Sequence, residues 1–400
     1  MRSGIYGGTF NPPHQGHLTS ARLAMEALKL DRLLFVPAAV PPHKELPEDS
    51  PSAEDRLKML EIAVDGLLMP GRAEVCDLEL HRQGKSYTSD TLEELHKKYP
   101  EDELYLLLGT DMFLSLDTWH DPENICGLAH IVAFVRSETD SVKKLELQQE
   151  KLQDRYRARA EVVELSQVVP VSSTQIREEL KKGEAGTGLP PAVYGYILRR
   201  GLYGTHADLK NLTIPQLRAC SYSMMKAKRI AHVGGVEEEA VRLARRWGAD
   251  EELARRAGIL HDCTKYYTLD EQLQICDRYG IVLDDLEKIS VKLLHSKTGA
   301  ALARHCFGQP DEVYDAIFWH TTGKPDMNLL EKVVYLADYI EPNRNFEGLE
   351  EIRKLSYEDL DAAMQLGLEM SVEDLNERGV PIHKNTQAAL DWQKSRRKGS

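Results

Sequence analysis

The stretch SGIYGGTFNPPHQGHL, residues 3 to 18, decides the fold of the first half of this chain. Ser3 to Tyr6 reads as a strand, Gly7 and Gly8 as the turn that ends it, and His14-Gln15-Gly16-His17 as the opening of a helix whose apolar residues continue from Leu18 to Leu28. A bare backbone at Gly7 and Gly8 lets a phosphate approach closely, and a helix N-terminus presents unpaired N–H groups to an anion. Two histidines there add donors for charge developing on phosphorus. Taken alone, the glycine pair is better explained by a tight strand-to-helix turn, because a single glycine signature is weak.

Working outward, short apolar runs at Leu33–Val36, Leu104–Leu108, Ile131–Val135 and Val162–Val171 read as strands. Arg56–Val64 and Thr91–Lys98 carry apolar residues at helical spacing. Alternating strands and helices predict an α/β domain built on a Rossmann-like, doubly wound parallel sheet. Pro191–Arg200 would close it, and the charged, Gln-rich stretch Lys143–Arg159 reads as a solvated helix. From residue 213 onward the pattern changes to amphipathic segments rich in Ala and Leu: Val236–Trp247, Glu251–His261, Val291–Cys306, Glu312–His320 and Leu329–Ile340. The expectation is α/β then all-α, with domains at 1–203 and 213–400 and a linker at 204–212.

Four hundred residues give room for two or three domains. The net charge of −13 is spread over both halves: 24 basic against 32 acidic side chains up to residue 206, and 27 against 32 after it. Neither half advertises the concentrated basic face that a nucleic-acid polymer requires. The six cysteines include no pair at two-residue spacing, which fits a reduced compartment better than a zinc knuckle or redox motif. The start MRSGIYGGTF has no apolar export segment and no apolar run approaches bilayer length, so a cytoplasmic chain without membrane contact is expected.

Two further segments bear on phosphate chemistry. Gly84-Lys85-Ser86 imitates the end of a P-loop, but Glu79 stands where the earlier glycine is required. Ser172 with Gln175 forms a capping box at the head of SSTQIR, and a capped helix N-terminus with Arg177 facing inward is also an anion site. In the helical half, His232, the adjacent pair His261-Asp262, His295, His320 and Asp338 all lie on or at the end of helical segments. Asp338 sits in the strongly apolar VVYLADYIEP, and Lys265 follows Asp262 by three residues. Buried imidazoles and carboxylates in one bundle call for a divalent metal, whereas His305 and His383 read as satisfied polar residues.

Residues 1 to about 203 carry, in order, GGTFNPPHQGHL, VPAAVPPHK ending at Lys44, SYTSDTL from Ser86, GTDMF from Gly109, Trp119-His120 and SSTQIR. Together these resemble the HxGH nucleotidyltransferases, most closely bacterial nicotinate-nucleotide adenylyltransferase; Val171 departs from the commoner Ile. The resemblance implies that His14, His17, Arg177 and Lys44 polarise the ATP phosphates and that Ser172 and Ser173 hold the triphosphate. It implies Gly7, Gly8, Thr9 and Phe10 on the ATP side, Tyr87, Thr88 and Trp119 around the pyridine ring of nicotinate mononucleotide, and Asp111 near its ribose or phosphate. Taken alone, Trp119 would be read as core. Magnesium would accompany ATP.

RIAHVGGV, GILHDCTKYY, LLHSKTGA, FWHTTG and YLADYIEPNR, within residues 213 to 395, resemble the HD-domain phosphohydrolases. The nearest branch is the YqeK-like symmetrical bis(5'-nucleosyl)-tetraphosphatases. The resemblance implies a dinuclear centre, with His232, His261, Asp262 and Asp338 on one ion, His295 and His320 on the other, and Asp262 bridging. Ligands without thiolate suit iron, with manganese as the alternative. Lys265, and less strongly Arg344, would bind a phosphate oxygen. The expected substrates are ATP, nicotinate mononucleotide and a dinucleoside polyphosphate such as diadenosine tetraphosphate. Two alternatives stay open for the second half, another phosphorylated nucleotide or a nucleotide-sensing regulatory role, and a homo-oligomer stays open for the chain.

Overall fold

The computed structural model describes residues 1–41, 45–82, 84–135, 142–164 and 169–398. The chain divides into two compact units, Met1–His206 and Ala207–Ser400.

In the first unit the strands β1 (Arg2–Gly8), β2 (Arg32–Pro37), β3 (Ala73–Val75), β4 (Glu103–Gly109), β5 (Ala129–Val135) and β6 (Ala160–Glu164) form one sheet in the order β3-β2-β1-β4-β5-β6. Every pairing is parallel. The helices between them are α1 (Gln15–Ala27), α2 (Ala53–Asp65), α3 (Thr88–Lys98), α4 (Thr110–Leu114), α5 (Pro122–Leu128) and α6 (Val142–Tyr156), with α7 (Ser173–Lys181) and α8 (Pro191–Arg200) after β6. Successive side chains on a strand point to opposite faces, and the core divides accordingly. Phe35, Tyr105, Leu107, Val132 and Phe134 pack on one side of the sheet. Leu34, Val36, Leu104, Leu106, Leu108, Ile131 and Ala133 pack on the other. The strand order reverses between β1 and β4, and in such sheets the crevice beyond the carboxyl ends of those strands is where ligands bind.

Two local expectations need correction, and two short elements went unread. The strand expected to reach Val171 ends at Glu164, and beyond the segment 165–168, which lies outside the described residues, Pro170 has no N–H for a ladder while Val171 N bonds back to Val169 O at 2.8 Å. The charged stretch expected to be a solvated helix is α6, but Leu145, Gln148 and Leu152 bury one face of it against the sheet-side core. Short β3 and α5 left no periodic signal; α5 is set instead by Asp121, whose side chain accepts from Asn124 N, and by Pro122 at the first helical position.

The second unit is helical: α9 (Ile214–Tyr222), α10 (Ala227–Trp247), α11 (Glu251–Leu260), α12 (Leu269–Arg278), α13 (Val291–His305), α14 (Asp311–Trp319), α15 (Leu329–Ile340), α16 (Leu349–Glu358), α17 (Leu360–Glu377) and α18 (Lys384–Lys398). Helix α10 begins nine residues before the expected Val236, running through Gly234 and Gly235. Gly235 is demanded by packing despite its low helix propensity, because a Cβ there would collide with the side chain of Glu341, whereas a Cβ at Gly234 would meet nothing closer than the Tyr222 hydroxyl at 3.8 Å. Helices α10, α11, α13, α14 and α15 pack against one another and bring their polar residues to a common interior.

Candidate active sites

At the β1/β4 crevice lies a cavity of about 570 Å³. Gly7, Gly8 and Thr9 line it from the end of β1, Asp111 from the start of α4, and His17, Thr88 and Trp119 from α1, α3 and the loop before α5. The structure therefore gathers these seven expected residues around one space. His14 caps α1, and its ring stacks on that of His17 at 3.7 Å. The His14 backbone N–H donates to His17 Nδ1 at 3.2 Å, which fixes the proton of a neutral His17 on Nε2. Tyr87 lies against His120, ring centroids 4.4 Å apart.

The other expected residues take supporting positions. Ser172 caps α7 by accepting from Gln175 N, Ser173 Oγ donates to Pro12 O at 3.0 Å, and Arg177 donates to Asn11 O at 2.8 Å. The head of α7 is thus fastened to the loop between Gly8 and His14. The Phe10 ring is 1 % exposed and packs among Tyr6, His17 and Phe35, so the side chain belongs to the core and does not line the cavity. Lys44 lies outside the described residues.

Two residues here escaped sequence reading. Arg56 on α2 is buried, and its guanidinium donates to Thr9 O, Ala38 O and Ala39 O at 2.7–3.0 Å, bracing the turns after β1 and β2. Glu79 lines the cavity, accepts from Thr91 Oγ1 at 2.7 Å, and has its carboxyl pushed upward by burial. The available signal for Arg56 was its place on the apolar face of α2, in step with Met59, Leu60 and Ala63.

The second unit assembles all six expected metal ligands. His232 comes from α10, His261 and Asp262 from the end of α11, His295 from α13, His320 from the end of α14 and Asp338 from α15. Potential ligand atoms fall into two trios, His232–His261–Asp262 and Asp262–His295–His320, each within 4.8 Å of one another. Asp262 serves both. Its Oδ2 lies 3.5 Å from His261 Nε2, its Oδ1 3.1 Å from His295 Nε2, and it is fully buried. Asp338 Oδ1 joins the first trio, 3.1 Å from His232 Nε2.

Every imidazole turns Nδ1 outward to an acceptor. His261, His295 and His320 face the carbonyls of Gly258, Lys292 and Ile317 at 2.6–2.8 Å, while His232 faces Glu341 Oε1 at 3.0 Å. With the Nδ1 proton spent there, the four Nε2 atoms converge, His232 on His261 at 3.3 Å and His295 on His320 at 3.2 Å. Nitrogen lone pairs and carboxylate oxygens crowded in this way fit divalent cations between them.

The electrostatics divide: burial lowers His295 and His320, whereas at His261 burial is outweighed by the neighbouring Asp262 and Asp338, which push the imidazole up. Burial opposes ionisation of Asp262, but His261, His295 and Lys265 outweigh it and hold the carboxyl well below the usual range. Burial, reinforced by His295 and His261, pushes His320 down to about 3, which keeps it the neutral ligand a metal requires. Cations crowd the carboxylates as well. Arg229 pairs with Asp262, Arg344 donates to Asp338 Oδ1 at 2.7 Å, and Lys265 Nζ lies 3.4 Å from Asp262 Oδ1 and 3.0 Å from His295 Nε2. Arg229 and Glu341 went unnoticed in the sequence, although each stands three residues from a ligand on the same helical face. A cavity of about 980 Å³, lined by Thr321, Tyr339, Arg344 and Phe346, adjoins this centre through Thr321, whose Oγ1 is 3.3 Å from His320 Nε2.

A third trio, Asp284, Glu287 and His383, also satisfies the distances. Its carboxylates already pair with Lys384 and Lys297, and its imidazole with Asp284, so it ties α18 to the segment before α13. His383 is in this sense a satisfied polar residue, and His305 stacks on Tyr279 at 4.4 Å. Among the described residues no helix is long and apolar enough to cross a membrane.

Comparison with known proteins follows the same division. The cytidylyltransferase-like family matches residues 5–179, and the HD domain family matches residues 229–343. A probable nicotinate-nucleotide adenylyltransferase of Lachnoclostridium phytofermentans is 39% identical over 201 residues, covering 50% of this chain and 98% of that one. The symmetrical bis(5'-nucleosyl)-tetraphosphatase of Bacillus subtilis is 38% identical over 175 residues, 44% of this chain and 94% of that one. A crystal structure of a predicted HD superfamily hydrolase involved in NAD metabolism, from Clostridium acetobutylicum, shares 37% identity with a TM-score of 0.45, covering 46% of this chain and 98% of that one. The chain is thus a fusion, belonging through its first unit to the nicotinate-nucleotide adenylyltransferases and through its second to the HD-domain family that includes the YqeK-type tetraphosphatases.

Proposed function

We propose that the first unit transfers the adenylyl group of ATP to nicotinate mononucleotide, giving nicotinate adenine dinucleotide and pyrophosphate. The observation that carries this reading is the convergence of Gly7, Gly8, Thr9, His17, Thr88, Asp111 and Trp119, from five segments, on one cavity. In-line attack by the mononucleotide phosphate on the α-phosphorus needs no covalent nucleophile; it needs alignment and neutralised charge. His17, with Nε2 as donor, and His14 beside it would face the α-phosphate, with Arg177 and Lys44 on the departing pyrophosphate. Ser172 and Ser173 at the head of α7 would hold the triphosphate, Gly7 to Phe10 would offer backbone to ATP, and Mg2+ would arrive with it. Tyr87, Thr88 and Trp119 would frame the pyridine ring and Asp111 the ribose or phosphate. Full chain incubated with ATP, nicotinate mononucleotide and Mg2+ is expected to release dinucleotide and pyrophosphate in equal amounts; no dinucleotide would sink the assignment.

For the second unit the reading is symmetrical hydrolysis of diadenosine tetraphosphate to two ADP in the cytoplasm. It is supported by the two ligand trios sharing Asp262 next to a nucleotide-sized cavity. His232, His261, Asp262 and Asp338 would hold one ion and Asp262, His295 and His320 the other, iron or manganese by donor type. Two such ions supply an activated water and neutralise the phosphate under attack. Lys265 and Arg344, both beside the trios, would take phosphate oxygens, and Tyr339 and Phe346 line the space for a nucleoside. ADP as sole product supports the assignment. ATP with AMP, or turnover confined to mononucleotides, overturns it.

A further inference from the structure

We infer that Glu341 is a positioning residue of the metal centre, which orients His232 toward the first ion. The inference rests on the reading of His232 as a metal ligand. Three of the four imidazoles are oriented by a main-chain carbonyl of their own helix, three residues back, and His232 alone is oriented by a carboxylate from another helix. Glu341 ends α15 one turn beyond Asp338, so a single helix supplies both a candidate ligand and the group behind its neighbour. Its side chain is 1 % exposed, and its two oxygens divide the work. Oε1 accepts from His232 Nδ1 at 3.0 Å, while Oε2 accepts from Asn343 N at 2.7 Å and Asn343 Nδ2 at 2.9 Å. Asn343 Nδ2 also donates to Ala231 O, the residue before His232.

The second glycine of RIAHVGGV, which the expected chemistry leaves unused, belongs to this arrangement. Gly235 lies on the next turn of α10 after His232, and any Cβ there would overlap Glu341 Oε2. Glu341 touches the far nitrogen of His232, so it is no ligand itself. It fixes the proton on Nδ1, aims Nε2 at Asp338 and His261, and strengthens the imidazole as a donor more than a neutral carbonyl does.

The test is Mn2+ binding to the metal-free full chain, followed by equilibrium dialysis, for the parent, Glu341→Gln and Gly235→Ala. Glutamine cannot accept from both His232 and Asn343, and an alanine methyl displaces the carboxylate while keeping every polar group. Both variants are expected to bind one of the two ions about 10- to 100-fold more weakly and to leave the other unchanged. A purely structural role would lower the unfolding temperature of the metal-free chain without this selective loss. Unchanged affinities, or equal loss at both ions, overturn the role of Glu341. A parent chain that binds no Mn2+ overturns the metal-centre reading itself.

Discussion

Single residues here divide into those that line the two candidate sites and those that hold the lining in place. The first kind was legible in the sequence, because imidazoles and carboxylates at the ends of amphipathic segments have few reasons to be buried except chemistry. The second kind was not. Arg56 looks like one more polar residue of α2 until its guanidinium is seen bracing three carbonyls beneath the glycine turn. Removing it leaves those carbonyls without their donor in the interior, so Arg56→Met is expected to destabilise the first unit by about 2–4 kcal/mol, measured by urea unfolding. A change below about 0.5 kcal/mol would mean water replaces the guanidinium without loss. His17 makes the complementary case. If its Nε2–H meets charge that develops only during transfer, His17→Asn should lower kcat by about 10²- to 10³-fold with KM for ATP nearly unchanged. An equal rise in KM instead would make it a ground-state binding residue.

At the scale of elements, periodicity predicted the long helices and central strands and failed where a few local bonds decide the outcome. The run expected to carry a strand on to Val171 is broken at Pro170, where Val171 N turns back to Val169 O, and α10 carries a glycine at position 235 because Glu341 fills the space a side chain would need. Helix α18 depends on such a local device. Burial pushes the Asp284 carboxyl upward, but the Glu287 N–H, Lys384 and His383 outweigh it and hold the group at about 2. A carboxyl depressed in the folded state adds stability above its unfolded value, near 4, and that stability disappears as pH falls from there through about 2. The full shift corresponds to about 2.5 kcal/mol, and solvent screening of this partly exposed group reduces it to about 1 kcal/mol. Trp392 on α18 reports the event. Its fluorescence should show α18 loosening between pH 4 and 2 in the parent, whereas Asp284→Asn should show weaker docking already at pH 7 and a flatter acid profile. Identical profiles would remove Asp284 from the tether.

For the whole molecule, the acidic balance of both halves said little about function because each candidate site gathers its own donors and cations: the imidazoles of His14 and His17 with Arg177 in one unit, Arg229, Lys265 and Arg344 around the ligand trios in the other. Every named residue of the first site precedes position 207, and every named residue of the second follows it. Chemistry that shares no residue should be separable. Asp262→Asn keeps the shape of the buried carboxylate while removing the charge both trios use, so it is expected to abolish phosphohydrolysis and leave kcat/KM for dinucleotide formation within about twofold. His17→Asn should do the reverse. Metal removal extends the argument to stability, because an ion bound only by the folded state adds RT ln(1 + [L]/Kd), about 2.7 kcal/mol at one hundred times Kd. Chelation should therefore lower the unfolding temperature of the helical unit alone, and Asp262→Asn should erase that response. If instead Asp262→Asn changes transferase kinetics severalfold, the helical unit acts as a nucleotide-sensing regulator, and the reading of two independent enzymes gives way to one of control.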